Sequence, residues 1–126
     1  MKKILIVEDN PVNRALLHEI LSARRYETLQ CETAEEGILI AKRENPALIL
    51  MDVQLPGMDG YTATKQLKSE PDTKHIPVLI VTSFAMAADK ERAFESGADG
   101  YVPKPINTRT FPKTVEEILA KRKPTS

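Results

Sequence analysis

Ala47-Leu48-Ile49-Leu50-Met51-Asp52-Val53-Gln54-Leu55-Pro56-Gly57-Met58-Asp59-Gly60 is the stretch that decides the fold. Its first five residues are an unbroken apolar run, which suits a strand buried on both faces of a parallel sheet. Asp52 closes the run, and the proline and glycines from Leu55 to Gly60 are turn chemistry. Two other segments share the design. Lys3-Ile4-Leu5-Ile6-Val7 ends in Glu8 and Asp9, and Val78-Leu79-Ile80-Val81 ends in Thr82 and Ser83.

Between these strands the helical period takes over. Asn10-Pro11 breaks the first strand and opens a helix, with proline near the first helical position. Val12, Ala15, Leu16 and Ile20 recur at the helical spacing, with Glu19 the polar member of that stripe, and the helix is expected to end near Ala23 or Arg24. Tyr26 to Cys31 is more polar and reads as an alternating edge strand. Thr33 followed by Glu36 is a capping box that starts a second helix carrying Ile38, Leu39 and Ala41, stopped before Pro46. A third helix is predicted over roughly 61–69, and a fourth over about 86–96, stopped by Gly97. Asp99-Gly100-Tyr101-Val102 is a short strand before Pro103-Lys104-Pro105. A last amphipathic helix carries Phe111, Val115, Ile118 and Leu119, with Pro112 in its first turn, where proline is tolerated. Strands and helices thus alternate five times, the pattern of an α/β domain with a mostly parallel sheet, right-handed crossovers and helices on both faces.

Composition narrows the class of function. The 126 residues fit one domain, and 41% hydrophobic with 29% charged residues is an ordinary globular balance. Eighteen basic residues offset eighteen acidic ones, so the total charge favours neither nucleic acid nor an anionic membrane. Cys31 is the single cysteine, so no internal disulfide forms, which fits a reducing compartment. The first eight residues do not resemble a signal peptide, and no apolar run approaches the roughly 20 residues of a membrane span. The chain is expected to be cytoplasmic, with no membrane and no direct nucleic-acid partner. Residues 1–121 read as one domain and 122–126 as a flexible, solvated tail.

The polar residues that interrupt the apolar strands all fall at strand C-termini: Glu8 and Asp9, Asp52, Thr82 and Ser83, and Lys104. A parallel sheet gathers them on one rim, where ligands bind in open α/β folds. Taken singly, each acid reads as a helix cap; four such clusters together do not. Carboxylates at close range repel, and a divalent cation relieves the repulsion. Magnesium, which prefers oxygen ligands and retains waters, suits such a rim, and manganese is possible. Asp52 is then placed as a nucleophile towards a phosphoryl group, with Lys104 neutralising charge and Thr82 donating its hydroxyl.

Four segments in register are similar to the response-regulator receiver domain of two-component signalling. Ile4 to Asn10 resembles its acid-pair segment and Leu50 to Gly60 its phosphoacceptor segment. Val81-Thr82-Ser83 and Gly97 to Pro105 resemble its two remaining signatures, and the likeness covers essentially the whole chain. The resemblance implies a flavodoxin-like doubly wound (βα)5 fold with strand order 2-1-3-4-5. It implies Asp52 as phosphoacceptor, with magnesium held by Asp9, Asp52 and the Gln54 carbonyl, and by Glu8 largely through water. Thr82 and Lys104 would hold the phosphoryl oxygens, and Lys104–Pro105 would be a cis peptide. The donor would be a histidine kinase or histidine phosphotransfer protein, and the chain a switch that assists only its own aspartyl phosphorylation and dephosphorylation.

Switching is expected on the face built from the fourth helix, fifth strand and fifth helix. Tyr101 turns inward as Thr82 moves, and Met86, Ile106 and Phe111 complete a patch for a downstream protein. Tyr101 also reads as an ordinary half-buried strand aromatic. Glu8 stands where the family often has aspartate, and Gln54 and Phe84 occupy variable positions. The Asn10, Asn13 and Lys104-Pro105-Ile106-Asn107 pattern resembles stand-alone cell-cycle or chemotaxis-type regulators and hybrid-kinase receivers, monomeric or dimerising on phosphorylation. A stand-alone chain is the favoured expectation. His18 and His75 read as ordinary surface or packing residues. A haloacid-dehalogenase-type phosphatase would want an aspartate where Gln54 stands. A flavin or mononucleotide module would want a glycine- or hydroxyl-rich phosphate loop where Asp9-Asn10-Pro11 offers a carboxylate.

Overall fold

The computed structural model describes residues 2–83 and 87–121, so Phe84, Met86 and the tail at 122–126 lie outside the described residues. In chain order the elements are β1 (Lys3–Val7), α1 (Pro11–Ala23), β2 (Glu27–Cys31), α2 (Ala34–Glu44), β3 (Leu48–Asp52), α3 (Gly60–Ser69), β4 (Val78–Thr82), α4 (Ala87–Glu95), β5 (Gly100–Pro103) and α5 (Phe111–Lys121). The strands form one sheet in the order β2-β1-β3-β4-β5, and every neighbouring pair is parallel. The order reverses at β1, which lies between β2 and β3.

Local chemistry sets the helix ends. Asn10 accepts from the amides of Val12 and Asn13 and precedes Pro11 at the first helical position. Thr33 accepts from the Glu36 amide at 3.2 Å, and its hydroxyl meets the Glu36 carboxylate at 3.2 Å. Asp59 caps α3 by accepting from the amide and hydroxyl of Thr62, both at 2.9 Å. Asn45 ends α2 with φ 48° ahead of Pro46, and Gly97 follows α4 with φ 100°, a conformation in which a Cβ is strained.

The period-2 rule sorts the central strands between two cores. Leu5, Val7, Ile49, Met51, Val78 and Ile80 pack with Ile38 and Ala41 of α2, Ala63 and Leu67 of α3, and Ala93 of α4. Ile4, Ile6, Leu48, Leu50, Leu79 and Val81 pack with Leu17 and Leu21 of α1 and with Phe111, Val115, Ile118 and Leu119 of α5. Every residue of β3 and β4 is buried. β2 is one of the two edge strands, as its polar sequence predicts, and Cys31 is its buried member.

Two helix faces differ from the periodicity reading. Val12 is 74% exposed, and α1 buries Leu17 and Leu21 instead of the Val12-Ala15-Leu16 stripe. The run Leu16-Leu17-His18-Glu19-Ile20-Leu21 offers two overlapping stripes, and contact with Ile4, Ile6 and α5 selects the one centred on Leu17. Leu39 of α2 is 64% exposed, because Ile38 and Ala41 already fill the space over β1 and β3.

Gly60 joins the fold to the rim described next. Its amide donates to the Val53 carbonyl at 3.1 Å. A Cβ built there would land on the Asp52 carbonyl oxygen and stand 2.9 Å from Val53 Cα. Gly60→Ala is therefore predicted to lose about 2–3 kcal/mol in urea unfolding, because backbone, not a mobile side-chain tip, must move. Burial, assisted by the Glu36 charge, pushes the Cys31 thiol up to about 12. Native protein at pH 8 is predicted to react with iodoacetamide roughly a hundredfold more slowly than urea-unfolded protein. Because this pKa is raised on folding, its stabilising share is complete below the unfolded thiol's value and is lost as pH rises toward the folded one.

Candidate functional site

Parallel pairing of β1, β3, β4 and β5 brings their C-terminal ends to one rim. Asp52 is the last residue of β3 and Thr82 the last of β4, both buried. Glu8 follows β1, is 1% exposed, and continues the ladder by donating its amide to the Cys31 carbonyl at 3.1 Å. Lys104 follows β5 and donates its amide to the Thr82 carbonyl at 2.7 Å, and the Lys104–Pro105 peptide is cis.

The side chains converge. Lys104 Nζ stands 2.7 Å from Glu8 Oε1 and 3.3 Å from Asp52 Oδ1. Glu8, Asp9 and Asp52 each offer a carboxylate oxygen, all within 4.8 Å of one another. Asp52 Oδ1 also accepts from the Gln54 amide at 3.3 Å, and Glu8 Oε2 accepts from the Asn10 amide at 3.2 Å. Asp9 is solvent-exposed, so the cluster opens to water on its side.

Electrostatics show an unbalanced charge. Burial, followed by the adjoining Asp52, pushes the Glu8 carboxyl above its usual value, and Lys104 only partly counters this. Burial acts to lower Lys104, but Glu8 and Asp52 together raise it, so the ammonium stays charged. Three carboxylates face one ammonium. Among the described residues, Glu8 Oε1 is the buried side-chain oxygen without an aligned hydrogen-bond donor, although the Lys104 ammonium lies in contact with it. An orphaned buried oxygen beside two further carboxylates, one of them open to water, is a donor set that fits a hard divalent cation keeping part of its water shell.

The remaining candidates are placed as follows. Gln54 is exposed, two residues past Asp52. Tyr101 is partly buried and packs on the core that contains Ile80 and Ala93, while Ile106 packs on the opposite one. Phe111 is 1% exposed and cannot contribute to a surface patch, because it fills the core between α5 and the sheet. Phe84 and Met86 lie outside the described residues. Arg14 escapes a sequence reading: its guanidinium donates to the Glu8 carbonyl at 2.9 Å and reaches the Asp9 carbonyl at 3.5 Å. Its only signal is a basic residue one helical turn after the Asn10 cap.

Comparison with known proteins agrees with this geometry. A family model described as the response regulator receiver domain matches residues 4–116. The polar-differentiation response regulator DivK of Brucella ovis is 41% identical over 118 residues, covering 94% of this chain and 96% of that protein. The signal receiver domain of a histidine kinase from Syntrophus aciditrophicus superimposes with a TM-score of 0.91 at 34% identity, covering 100% of this chain and 96% of that one. The receiver domain of a sensor histidine kinase from Pseudomonas aeruginosa has a TM-score of 0.87 at 28% identity, covering 94% and 98% of the two chains. It carries a magnesium ion coordinated in its active-site cleft.

Lys104→Gln removes the ammonium that, among the described residues, faces the two buried carboxylates, so Glu8 must lose its charge or remain buried without that counter-ion. A raised carboxyl pKa means that the folded state holds the proton more tightly, so stability falls as pH climbs above the ordinary glutamate value. In EDTA, the deficit of Lys104→Gln against wild type is predicted to be small near pH 4 and to grow to about 2–4 kcal/mol by pH 7. Urea unfolding across that range checks it, and a deficit independent of pH would contradict it.

Proposed function

The chain belongs to the response regulator receiver domain family, and from that premise we propose that it takes a phosphoryl group onto Asp52 from a phosphohistidine and thereby switches a protein-binding face. The observation that carries the reading is the Lys104 ammonium held between Glu8 and Asp52 at the open rim of the sheet, with Asp9 beside them.

The chemistry follows from what each residue presents. An Asp52 carboxylate oxygen attacks phosphorus, a new O–P bond forms, the P–N bond of the donor imidazole breaks, and the leaving imidazole keeps the bonding pair and takes a proton. Lys104, kept charged by its neighbours, is the point cation for one phosphoryl oxygen. Thr82 ends the strand beside β3 and is tied to Lys104 through the backbone, so its hydroxyl and the ammonium move as neighbours. Asp9, Asp52 and the Gln54 carbonyl would hold magnesium, with Glu8 contributing largely through water. When bound, that ion supplies charge neutralisation for the carboxylates and the incoming phosphoryl oxygens. Manganese gains no support from the comparisons.

Phosphorylation adds about −1.5 to −2 charge and strong acceptor oxygens at Asp52. Thr82 and Lys104 bind these better in one of two states of similar energy, and that difference shifts the population. The reporting face is α4, β5 and α5, with Tyr101 and Ile106 on it; Phe84, the further switch candidate, lies outside the described residues. The donor is a histidine kinase or histidine phosphotransfer protein. Likeness to a polar-differentiation regulator favours a protein as the downstream target, met in the cytoplasm by a monomer or a phosphorylation-dependent dimer. The chain turns over no external metabolite and assists only its own aspartyl chemistry.

Incubation with magnesium and acetyl phosphate, followed by intact-mass measurement, is predicted to show one added phosphoryl group that is lost on mild alkaline treatment. Asp52→Asn is predicted to gain none. Equal labelling of Asp52→Asn would place the acceptor elsewhere.

A further inference from the structure

We infer that Arg14 is a positioning residue for the cation site, holding the Glu8–Asp9 turn from behind so that the Asp9 carboxylate stays free for the metal. The inference rests on the proposed magnesium-dependent reading of the rim.

Asp9 is the weakly held member of the acid trio. It is exposed, and its carboxylate receives no hydrogen bond from a described residue. The direction of its side chain is therefore set by the backbone of the turn. That backbone is fixed at three points. The Glu8 amide donates to the Cys31 carbonyl at 3.1 Å, the Asn10 amide donates to Glu8 Oε2 at 3.2 Å, and Arg14 Nη1 donates to the Glu8 carbonyl at 2.9 Å and reaches the Asp9 carbonyl at 3.5 Å. Of these, the Arg14 contact is the one that reaches both peptide groups flanking Asp9, through the Glu8 and Asp9 carbonyls.

The choice of acceptor is the informative feature. A guanidinium bonded to the Asp9 carboxylate would compete with a metal for it. Bonded to carbonyls, it orders the turn and leaves the carboxylate oxygens available. The same Nη1 also stands 3.7 Å from Glu32 Oε1, and the Arg14 side chain is 19% exposed where that of Glu32 is 64% exposed. Arg14 is anchored in the first turns of α1, where its own amide donates to the Asn10 carbonyl at 2.9 Å, so the helix carries it as a rigid strut. Groups that orient metal ligands in this way typically govern about 10–100-fold in affinity.

Charge and position make opposite forecasts. Removing the cation that contacts the Glu8–Asp9 turn strengthens the pull on Mg2+ if Arg14 acts by charge alone. Removing the strut weakens binding if Arg14 acts by holding the turn.

Titration calorimetry of the full chain with magnesium chloride, alongside thermal unfolding in EDTA, decides between them. Arg14→Met is predicted to weaken magnesium binding by roughly tenfold or more. Arg14→Lys keeps the charge but loses the planar, longer-reaching donor, and is predicted to fall between Arg14→Met and wild type. Glu32→Gln is predicted to stay within about twofold of wild type. If Arg14→Met does not fold, Arg14→Lys decides alone, by weakening binding while keeping its charge. Unchanged or tighter binding in the Arg14 variants, with wild type binding normally, overturns the role of Arg14 and leaves the cation site standing. A wild type that binds no magnesium overturns the cation site and this assignment together.

Discussion

Two carboxylates are buried at the end of a parallel sheet, and a single ammonium makes that burial tolerable. Glu8 and Asp52 are almost without solvent, and Lys104 Nζ touches both. Isolated buried charge is costly, whereas a paired and hydrogen-bonded cluster is sustainable. Here the pairing is incomplete by design of the residue set: three acids against one lysine leave negative charge unmatched and one buried oxygen without an aligned donor. The rest of the fold serves to hold this imbalance in place.

The scaffold does so through strand parity and short loops. Alternate residues of β1, β3 and β4 anchor opposite cores, so the strands can neither slide nor rotate without exposing one of them. Asp52 and Thr82 are ends of strands that are buried along their whole length, and Glu8 directly follows β1, which is buried from Ile4 to Val7. The Lys104 amide on the Thr82 carbonyl, and Gly60 against the Asp52 peptide, transmit that rigidity into the rim. A charge added at Asp52 is therefore felt at β4 and β5 through backbone contacts, which is the physical requirement for a two-state response on α4, β5 and α5.

The sequence made most of this legible because its strongest signals are also its structural determinants. Apolar runs ending in Glu8, Asp52 and Thr82 specify both buried strands and the polar rim, since a parallel sheet puts all those ends together. The strand order, the Gln54 carbonyl ligand and the cis peptide rest on resemblance to a family, whereas the roles of Asp52, Thr82 and Lys104 also follow from residue chemistry at the strand ends. Helix faces were less legible. In α1 the residues Leu16, Leu17, Ile20 and Leu21 allow two stripes, and only the partner surface of α5 and β1 chooses between them. Leu39 looked inward by composition but lies outside the space that Ile38 and Ala41 fill. Phe111 reads both as a member of the last helix's apolar stripe and as part of an output patch, and the packing of α5 on the sheet selects the first. Arg14 was illegible for a different reason: its partners are backbone carbonyls, which leave no trace in residue identity.

A crystal structure of the protein with magnesium and beryllofluoride tests the central claim most directly, because it displays the charges that the cluster is held to await. The account predicts one metal ion bound by carboxylate oxygens of Asp9 and Asp52, the beryllium group on Asp52, and Lys104 Nζ moved from Glu8 onto a fluorine. A metal bound away from this trio, or a Lys104 ammonium still locked between Glu8 and Asp52 with the beryllium group in place, would contradict it.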